Sequence, residues 1–79
     1  MHEKLIDVLL QFARLNKLRF DYNFDNKRKV YFFKFQNQDK TWGYVREISE
    51  EQLDTSLIPT EYFAYGIIDT LKRKNSSLI

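Results

Sequence analysis

The chain has 79 residues and a net charge of +2, and it contains no cysteine. This length fits one domain, and the lack of cysteine excludes disulfides, thiolate metal sites and cysteine nucleophiles. Seven Phe, five Tyr and one Trp supply rings for a compact core, because each large ring buries roughly 150–250 Å². We expect a single compact domain over residues 1–74 and a frayed tail over residues 75–79.

An amphipathic helix is predicted over residues 3–16, because its apolar residues recur at the i, i+3, i+4 spacing of one helical face. Ile6, Leu10 and Leu15 widen that face beyond the stripe of an ordinary surface helix. We therefore expect this helix to be covered on two sides, by the sheet and by a second helix or a partner.

Three strands are predicted next, over residues 18–25, 29–36 and 41–48. The first alternates apolar and polar residues, which is typical of a half-buried strand, and the third is rich in Trp, Tyr and Val. Residues 26–27 are predicted to form a two-residue turn, since Asn tolerates positive φ. Residues 37–40 form a polar cluster that predicts a four-residue turn.

The end of the chain is predicted to be helical. Ser49 and Gln52 have the spacing of a capping box and indicate a short helical turn near residues 50–55. Pro59 suits the start of a last helix over about residues 60–74. The fold class is therefore α+β in the order α-β-β-β-α. It is a three-stranded antiparallel meander with two helices packed on one face and a short helical turn before the last helix.

The two predicted turns set a strand register that places Tyr22 opposite Tyr31 and Phe20 opposite Phe33. In this register one face of the sheet collects most of the rings and meets the helices, and a one-residue slip would scatter them. The opposite face is mostly polar, but Phe32 lies opposite Val45 at its middle.

A candidate interface is predicted on this open face. It has a small apolar centre with a polar rim, which is the general anatomy of an interface, and it comprises Val30, Phe32, Val45, Lys34 and Arg19. The alternative is an ordinary surface on which an Arg or Lys stem covers the Phe32 ring.

Catalytic machinery is not expected. His2 is the one histidine and is expected to be solvated, and two glycines cannot form a phosphate-binding loop. We therefore predict no catalytic residue, no metal and no cofactor. Asp21 and Glu47 are interpreted as partners of neighbouring cations, and a small hydrolase or transferase that uses them is the remaining enzymatic alternative.

Three consecutive cations, Lys27, Arg28 and Lys29, lie in the first hairpin turn and are candidate phosphate contacts. The element order is similar to that of the double-stranded RNA-binding domain, whose last helix begins with cations that meet phosphates. Residues 59–61, Pro-Thr-Glu, stand at that place here, and no membership of that family is inferred.

The function expected from the sequence is that of a small non-catalytic binding or accessory protein. It would act through protein contacts, including self-association as a homodimer, without a cofactor or a membrane. A nucleic-acid-binding module that uses the basic turn and the open sheet face is the alternative. The absence of cysteine favours the cytoplasm, and the abundance of Asn, Lys, Phe, Tyr and Ile is typical of AT-rich bacterial or phage genomes.

Overall fold

A computed structural model of the chain describes residues 2–78. The elements in chain order are α1 (Glu3–Leu15), β1 (Arg19–Asp25), β2 (Val30–Gln36), β3 (Gly43–Ser49), α2 (Glu50–Asp54) and α3 (Glu61–Lys74). The strands form one antiparallel sheet in the order β1-β2-β3, and the helices pack on one of its faces. The predicted α+β fold is confirmed, with each element within two residues of its expected bounds.

The end of α1 is a Schellman turn that feeds the chain directly into β1. The Leu18 N–H donates to the Ala13 carbonyl at 2.8 Å, and the Lys17 N–H donates to the Arg14 carbonyl at 3.2 Å. Both bonds satisfy carbonyls that the helix would otherwise leave unpaired. Lys17 adopts φ 55° to close the turn, a position that glycine usually occupies.

The first hairpin turn has four residues, 26–29, so the predicted two-residue turn is wrong. The Asp25 carboxylate accepts the backbone N–H groups of Lys27 and Arg28 at 3.0 and 3.2 Å. Lys29, with φ 55°, is the turn residue in the left-handed region. A local carboxylate therefore builds this turn, where a two-residue type I′ turn would need positive φ at both of its central residues.

The second hairpin loop spans residues 37–42 and is also longer than predicted. The Asn37 side-chain oxygen accepts the N–H groups of Thr41 and Trp42 at 2.9 and 3.2 Å. Lys40 adopts φ 58° within this loop. Trp42 consequently lies before β3 and not within it.

Both hairpins are displaced by two residues from the predicted register. Phe35 lies opposite Phe20 and Tyr44, and Phe33 lies opposite Tyr22 and Arg46. Because side chains alternate between faces with a period of two, a shift of two residues changes the partners but leaves every side chain on its predicted face.

The core lies between the sheet and the helices. Phe33 and Phe35 are fully buried at its centre. The other buried apolar residues come from all three helices and β3: Leu5, Leu9, Phe12, Ala13, Ile48, Leu53, Ala64, Ile67 and Leu71. α1 therefore packs against the sheet on one side and α3 on the other.

Ser49 caps α2 as the sequence predicts, because its hydroxyl accepts the Gln52 N–H at 3.0 Å. A Cβ placed on Gly66 of α3 would meet no atom within 4 Å, so close packing does not require a glycine there. Leu78, in the predicted tail, packs against the core. Met1 and Ile79 lie outside the described residues.

Candidate interaction surfaces

The five residues of the predicted interface do share the open face of the sheet. On this face Lys34 lies between Asp21 and Val45, and Phe32 lies between Asn23 and Glu47. Phe32 and Val45 are therefore diagonal neighbours and not direct partners as predicted. Val45 remains more than half exposed.

An arginine covers the apolar centre of the open face. The guanidinium of Arg28 lies over the Phe32 ring, 5.9 Å from its centroid. Its Nη2 donates to Glu47 Oε1 at 3.1 Å. The ion pair holds the guanidinium in place, and the ring is left only partly accessible. This arrangement corresponds to the alternative interpretation of the open face, in which an Arg or Lys side chain covers the Phe32 ring on an ordinary surface.

The two carboxylates considered for acid–base chemistry lie on different strands of that face. Asp21 is on β1 and Glu47 on β3, with β2 between them. A cation next to Glu47 in sequence, such as Arg46, was expected to pair with it. Glu47 pairs instead with Arg28 of the hairpin turn. Asp21 accepts the N–H of Tyr22 at 2.9 Å. Among residues 2–78, no three His, Asp or Glu side chains are grouped so that they could hold a metal ion.

The basic turn does not present its cations as one patch. Arg28 reaches over Phe32 on the open face. Lys29 lies over the Phe24 ring at 5.9 Å, on the helix-covered face, and its ammonium donates to the Asn26 side chain at 2.8 Å. Two of the three predicted phosphate contacts are thus engaged on opposite sides of the sheet. Lys27 is the third, and it is exposed at the tip.

A groove of about 790 Å³ lies between α1 and β1. Its apolar lining comes from Ile6 and Leu10 of α1 and from the rings of Tyr22, Phe24 and Tyr31, and Glu3 and Asp7 also line it. The sheet and α3 cover α1 on two sides, as predicted. The groove is the part of the boundary between α1 and β1 that this packing leaves open.

His2 closes one end of the groove, where a solvated side chain was expected. Its ring meets Tyr31 edge-on at 5.5 Å, and its Nε2 lies 3.3 Å from Asp54 Oδ1. Burial raises the pKa of the Tyr31 phenol, and the nearby Glu50 and Asp54 carboxylates raise it further. The start of α1 is thus tied to both β2 and α2.

Within the described part of the chain, the segment richest in exposed apolar residues was not predicted from the sequence. Leu57 is fully exposed, and Ile58, Tyr62 and Tyr65 are each about half exposed, all within nine consecutive residues. The Tyr62 and Tyr65 rings are in contact, with centroids 5.7 Å apart. We name this set the Leu57–Tyr65 surface. The signal was present in the apolar pair before Pro59, which lies outside any periodic helical stripe.

Serine and proline give the Leu57–Tyr65 surface its shape. The Ser56 hydroxyl accepts the Ile58 N–H at 3.2 Å and donates to the Ile58 carbonyl at 3.1 Å. The Pro59 carbonyl then accepts the Tyr62 N–H at 3.1 Å and opens α3. The bend directs Leu57 outwards, because the short chain between α2 and α3 is closed on itself by these bonds.

None of the protein-family models, curated proteins or solved structures compared with the chain matches it. Within residues 2–78, no helix has the length and apolar character needed to cross a bilayer.

Proposed function

We propose that the protein is a non-catalytic binding or accessory protein that acts through contact with another protein. The observation that carries this proposal is the Leu57–Tyr65 surface, where four of the seven exposed large hydrophobic residues found among residues 2–78 lie in one short segment. Scattered single apolar residues are normal on a protein surface, but four exposed within nine consecutive residues, two of them with their rings in contact, indicate an interaction site. Tyrosine is also among the residues enriched at interfaces.

The charge around this surface indicates the chemistry of the partner. Residues 46–69 contain one Arg and six acidic residues. Glu61 lies in the first turn of α3 next to Tyr62, whereas Asp69 is already paired with Arg73 at 2.7 Å. A partner that presents apolar side chains among Lys or Arg would complement both the rings and the carboxylates. Its association should therefore weaken as salt is raised.

The experiment compares Leu57→Asp with Val45→Asp. Both replace an exposed apolar residue by aspartate, one on the Leu57–Tyr65 surface and one on the open sheet face. The tagged proteins are exposed to extract of the native host, and retained proteins are quantified by mass spectrometry. We expect a basic partner to be retained by the wild type and by Val45→Asp and to be lost from Leu57→Asp.

Purification of that partner allows its affinity to be measured by calorimetry at two salt concentrations. Equal affinity for the wild type and Leu57→Asp would refute the proposed surface. Loss of affinity in Val45→Asp instead would return the interface to the open sheet face.

Nucleic-acid binding is the second proposal, and Lys27 is the cation that the turn leaves available for it. It predicts a mobility shift of duplex or single-stranded nucleic acid that falls steeply with salt. Lys27→Glu should abolish such a shift. The divergence of Arg28 and Lys29 to opposite faces favours the protein-binding proposal.

We place the protein in the cytoplasm of a bacterium, encoded by the host or by a phage or prophage. This part of the proposal is supported by amino-acid usage and by the absence of cysteine. Localisation of a tagged copy in the host tests it.

A further inference from the structure

The outer edge of β1 is an open strand edge of seven residues. β1 pairs with β2 without interruption from Arg19↔Gln36 to Asp25↔Val30, so no bulge twists its seven residues. It contains no proline, and no residue among 2–78 pairs with its other side. Proteins usually protect such an edge with a proline, a bulge or charged side chains, above all inward-pointing ones, because its free N–H and C=O groups are a template for another strand. The charged residues of β1, Arg19, Asp21 and Asp25, all lie on the open face and none points towards the helices.

The sequence of β1 is complementary to itself in the antiparallel direction. When two copies are aligned about Tyr22, Arg19 faces Asp25 of the second copy and Phe20 faces Phe24. Asp21 then faces Asn23, and Tyr22 faces Tyr22. Opposite charges and aromatic pairs at directly facing positions stabilise antiparallel strands, and every pair occurs twice around a two-fold axis apart from the central one.

Neighbouring registers lose this match. Alignment about Asp21 places the two Asp21 carboxylates opposite each other. Alignment about Asn23 faces Asp21 with Asp25 twice. A shift by a single residue sets Phe20 against Asn23 or Asp25 and reverses the faces of the second sheet. The alignment about Tyr22 is therefore selected by both charge and face.

The other sheet edge, β3, lacks this property. Alignment of two β3 strands about their midpoint brings two Arg46 side chains together. Arg46 also lies on the helix side of the sheet, opposite Phe33, where an inward-pointing charge opposes the approach of another strand. The two edges thus differ in the charges that face each other when two copies of the same strand pair, which are opposite for β1 and alike for β3.

Tyr22 gives the β1 edge an apolar surface to bury. It lies on the helix side of the sheet, yet it is 49% exposed because the groove between α1 and β1 leaves it uncovered. Its ring stacks on Phe20 at 6.0 Å, so the aromatic row reaches the edge. Its backbone N–H donates to the Asp21 carboxylate of its own strand at 2.9 Å, so this carboxylate must release the Tyr22 N–H before a second strand can pair there. Asn23 of the second copy faces Asp21 and can then donate to the released carboxylate.

We propose that two copies of this chain associate through antiparallel pairing of their β1 edges about Tyr22, which joins their sheets into one. A pairing of two seven-residue strands buries less than the standard protein interface, so the dimer is weak and forms as concentration rises. This self-association uses a different surface from the Leu57–Tyr65 surface and does not depend on the function proposed above.

Sedimentation velocity over a concentration series tests the proposal. We expect the wild type to move from the mass of one chain towards twice that mass. Arg19→Asp should weaken dimerisation roughly tenfold or more, since two ion pairs become two like-charge pairs. The matched control, Arg46→Asp, makes the same charge change on β3 and should dimerise like the wild type. Monomer at every concentration for the wild type, or equal loss in both variants, would overturn the proposal.

A mixing experiment identifies the register itself. Arg19→Asp and Asp25→Lys should each be monomeric alone but should form a mixed dimer, because residues 19 and 25 then carry opposite charges in both pairs. Asp25 also accepts two N–H groups of the hairpin turn, so circular dichroism must confirm that this variant is folded. Asn23→Asp avoids the turn and should weaken the dimer through two Asp–Asp pairs.

Results on the two surfaces are separable. Leu57→Asp should leave the dimer unchanged, and Arg19→Asp should leave the capture of the basic partner unchanged. A dimer that is lost in Leu57→Asp and retained in Arg19→Asp would show that the copies meet elsewhere and would overturn β1 pairing.

Discussion

Phe32 and Phe33 are neighbours on the central strand, yet they have opposite surroundings. Phe33 is fully buried beneath the helices, whereas Phe32 faces solvent under a single arginine side chain. The helix-covered face excludes water with packed apolar groups from four other elements. The open face achieves partial cover with one guanidinium held by Glu47.

The difference shows that the same residue type contributes unequally to stability on the two faces. A buried ring is surrounded by packed atoms on all sides, and its removal leaves a cavity. Removal of a ring beneath an exposed arginine side chain costs much less, because water and the arginine stem fill the space. An apolar residue on the open face therefore does not by itself define an interface.

The largest expected effect separates the two phenylalanines. Phe33→Ala should lower the free energy of unfolding by about 3–5 kcal/mol, and Phe32→Ala by about 1 kcal/mol. Urea denaturation measures both. Phe33→Leu serves as a milder variant, because a domain of this size has little stability to spare. Equal losses for Phe32→Ala and Phe33→Leu would contradict the contrast between the faces.

The next prediction concerns the loops that set the register and hence the partners on each face. Lys40→Gly should raise the free energy of unfolding by about 1 kcal/mol, because Lys40 has φ 58° and a left-handed conformation is costly for a residue with a Cβ. Asp39→Gly is the matched control and should be destabilising, since Asp39 does not have positive φ. Thermal denaturation of both variants checks the sign of each change.

A smaller effect is expected from the arginine shield. A double-mutant cycle of Arg28→Ala and Glu47→Ala should give a coupling free energy of about 0.2–1 kcal/mol, because both side chains are substantially exposed. The coupling should shrink as salt is added. A coupling above that range that is insensitive to salt would mean that the open face is better ordered than its exposure indicates.

The smallest effect is a pH dependence on the helix-covered face. Burial and nearby carboxylates raise the pKa of Tyr31 above 10.0. The unfolded chain therefore loses this proton at lower pH than the folded protein does. The stabilising contribution is complete below about pH 10 and is lost as the pH rises through the folded pKa.

Tyr31→Phe should therefore flatten the alkaline fall in stability, which urea titrations in the alkaline range would detect. Tyr65→Phe, an exposed control, should keep the wild-type slope. An unchanged slope in Tyr31→Phe would show that other groups govern the alkaline behaviour.

The fold was predictable because its signals are local. The helical spacing of residues 3–16, the alternation in the strands and the Ser49 cap each act within one element. The face assignment was predictable as well, since a period of two tolerates a shift of two residues. The turn lengths were not, because the Asp25 carboxylate and the Asn37 amide close longer loops than the local turn propensities indicated.

The candidate sites also have parts that the sequence predicts and parts that it does not. The sequence placed Val30, Phe32 and Val45 together on the open face, and the strand pairing agrees with that. It could not show that Arg28 reaches back across the hairpin to Phe32. The Leu57–Tyr65 surface was missed because apolar residues near Pro59 look the same in sequence whether they point inwards or outwards.

By itself, the sequence determined the order of the elements, the face on which each strand residue lies, and the self-complementary pattern of β1. These features depend on periodicity, which is a property of neighbouring residues. Only the tertiary structure decided which strand edge stays free, which ring is shielded, and which apolar residues remain outside the core. Those outcomes depend on contacts between residues far apart in the chain, where one side chain such as Arg28 or Leu78 covers what the local pattern leaves open.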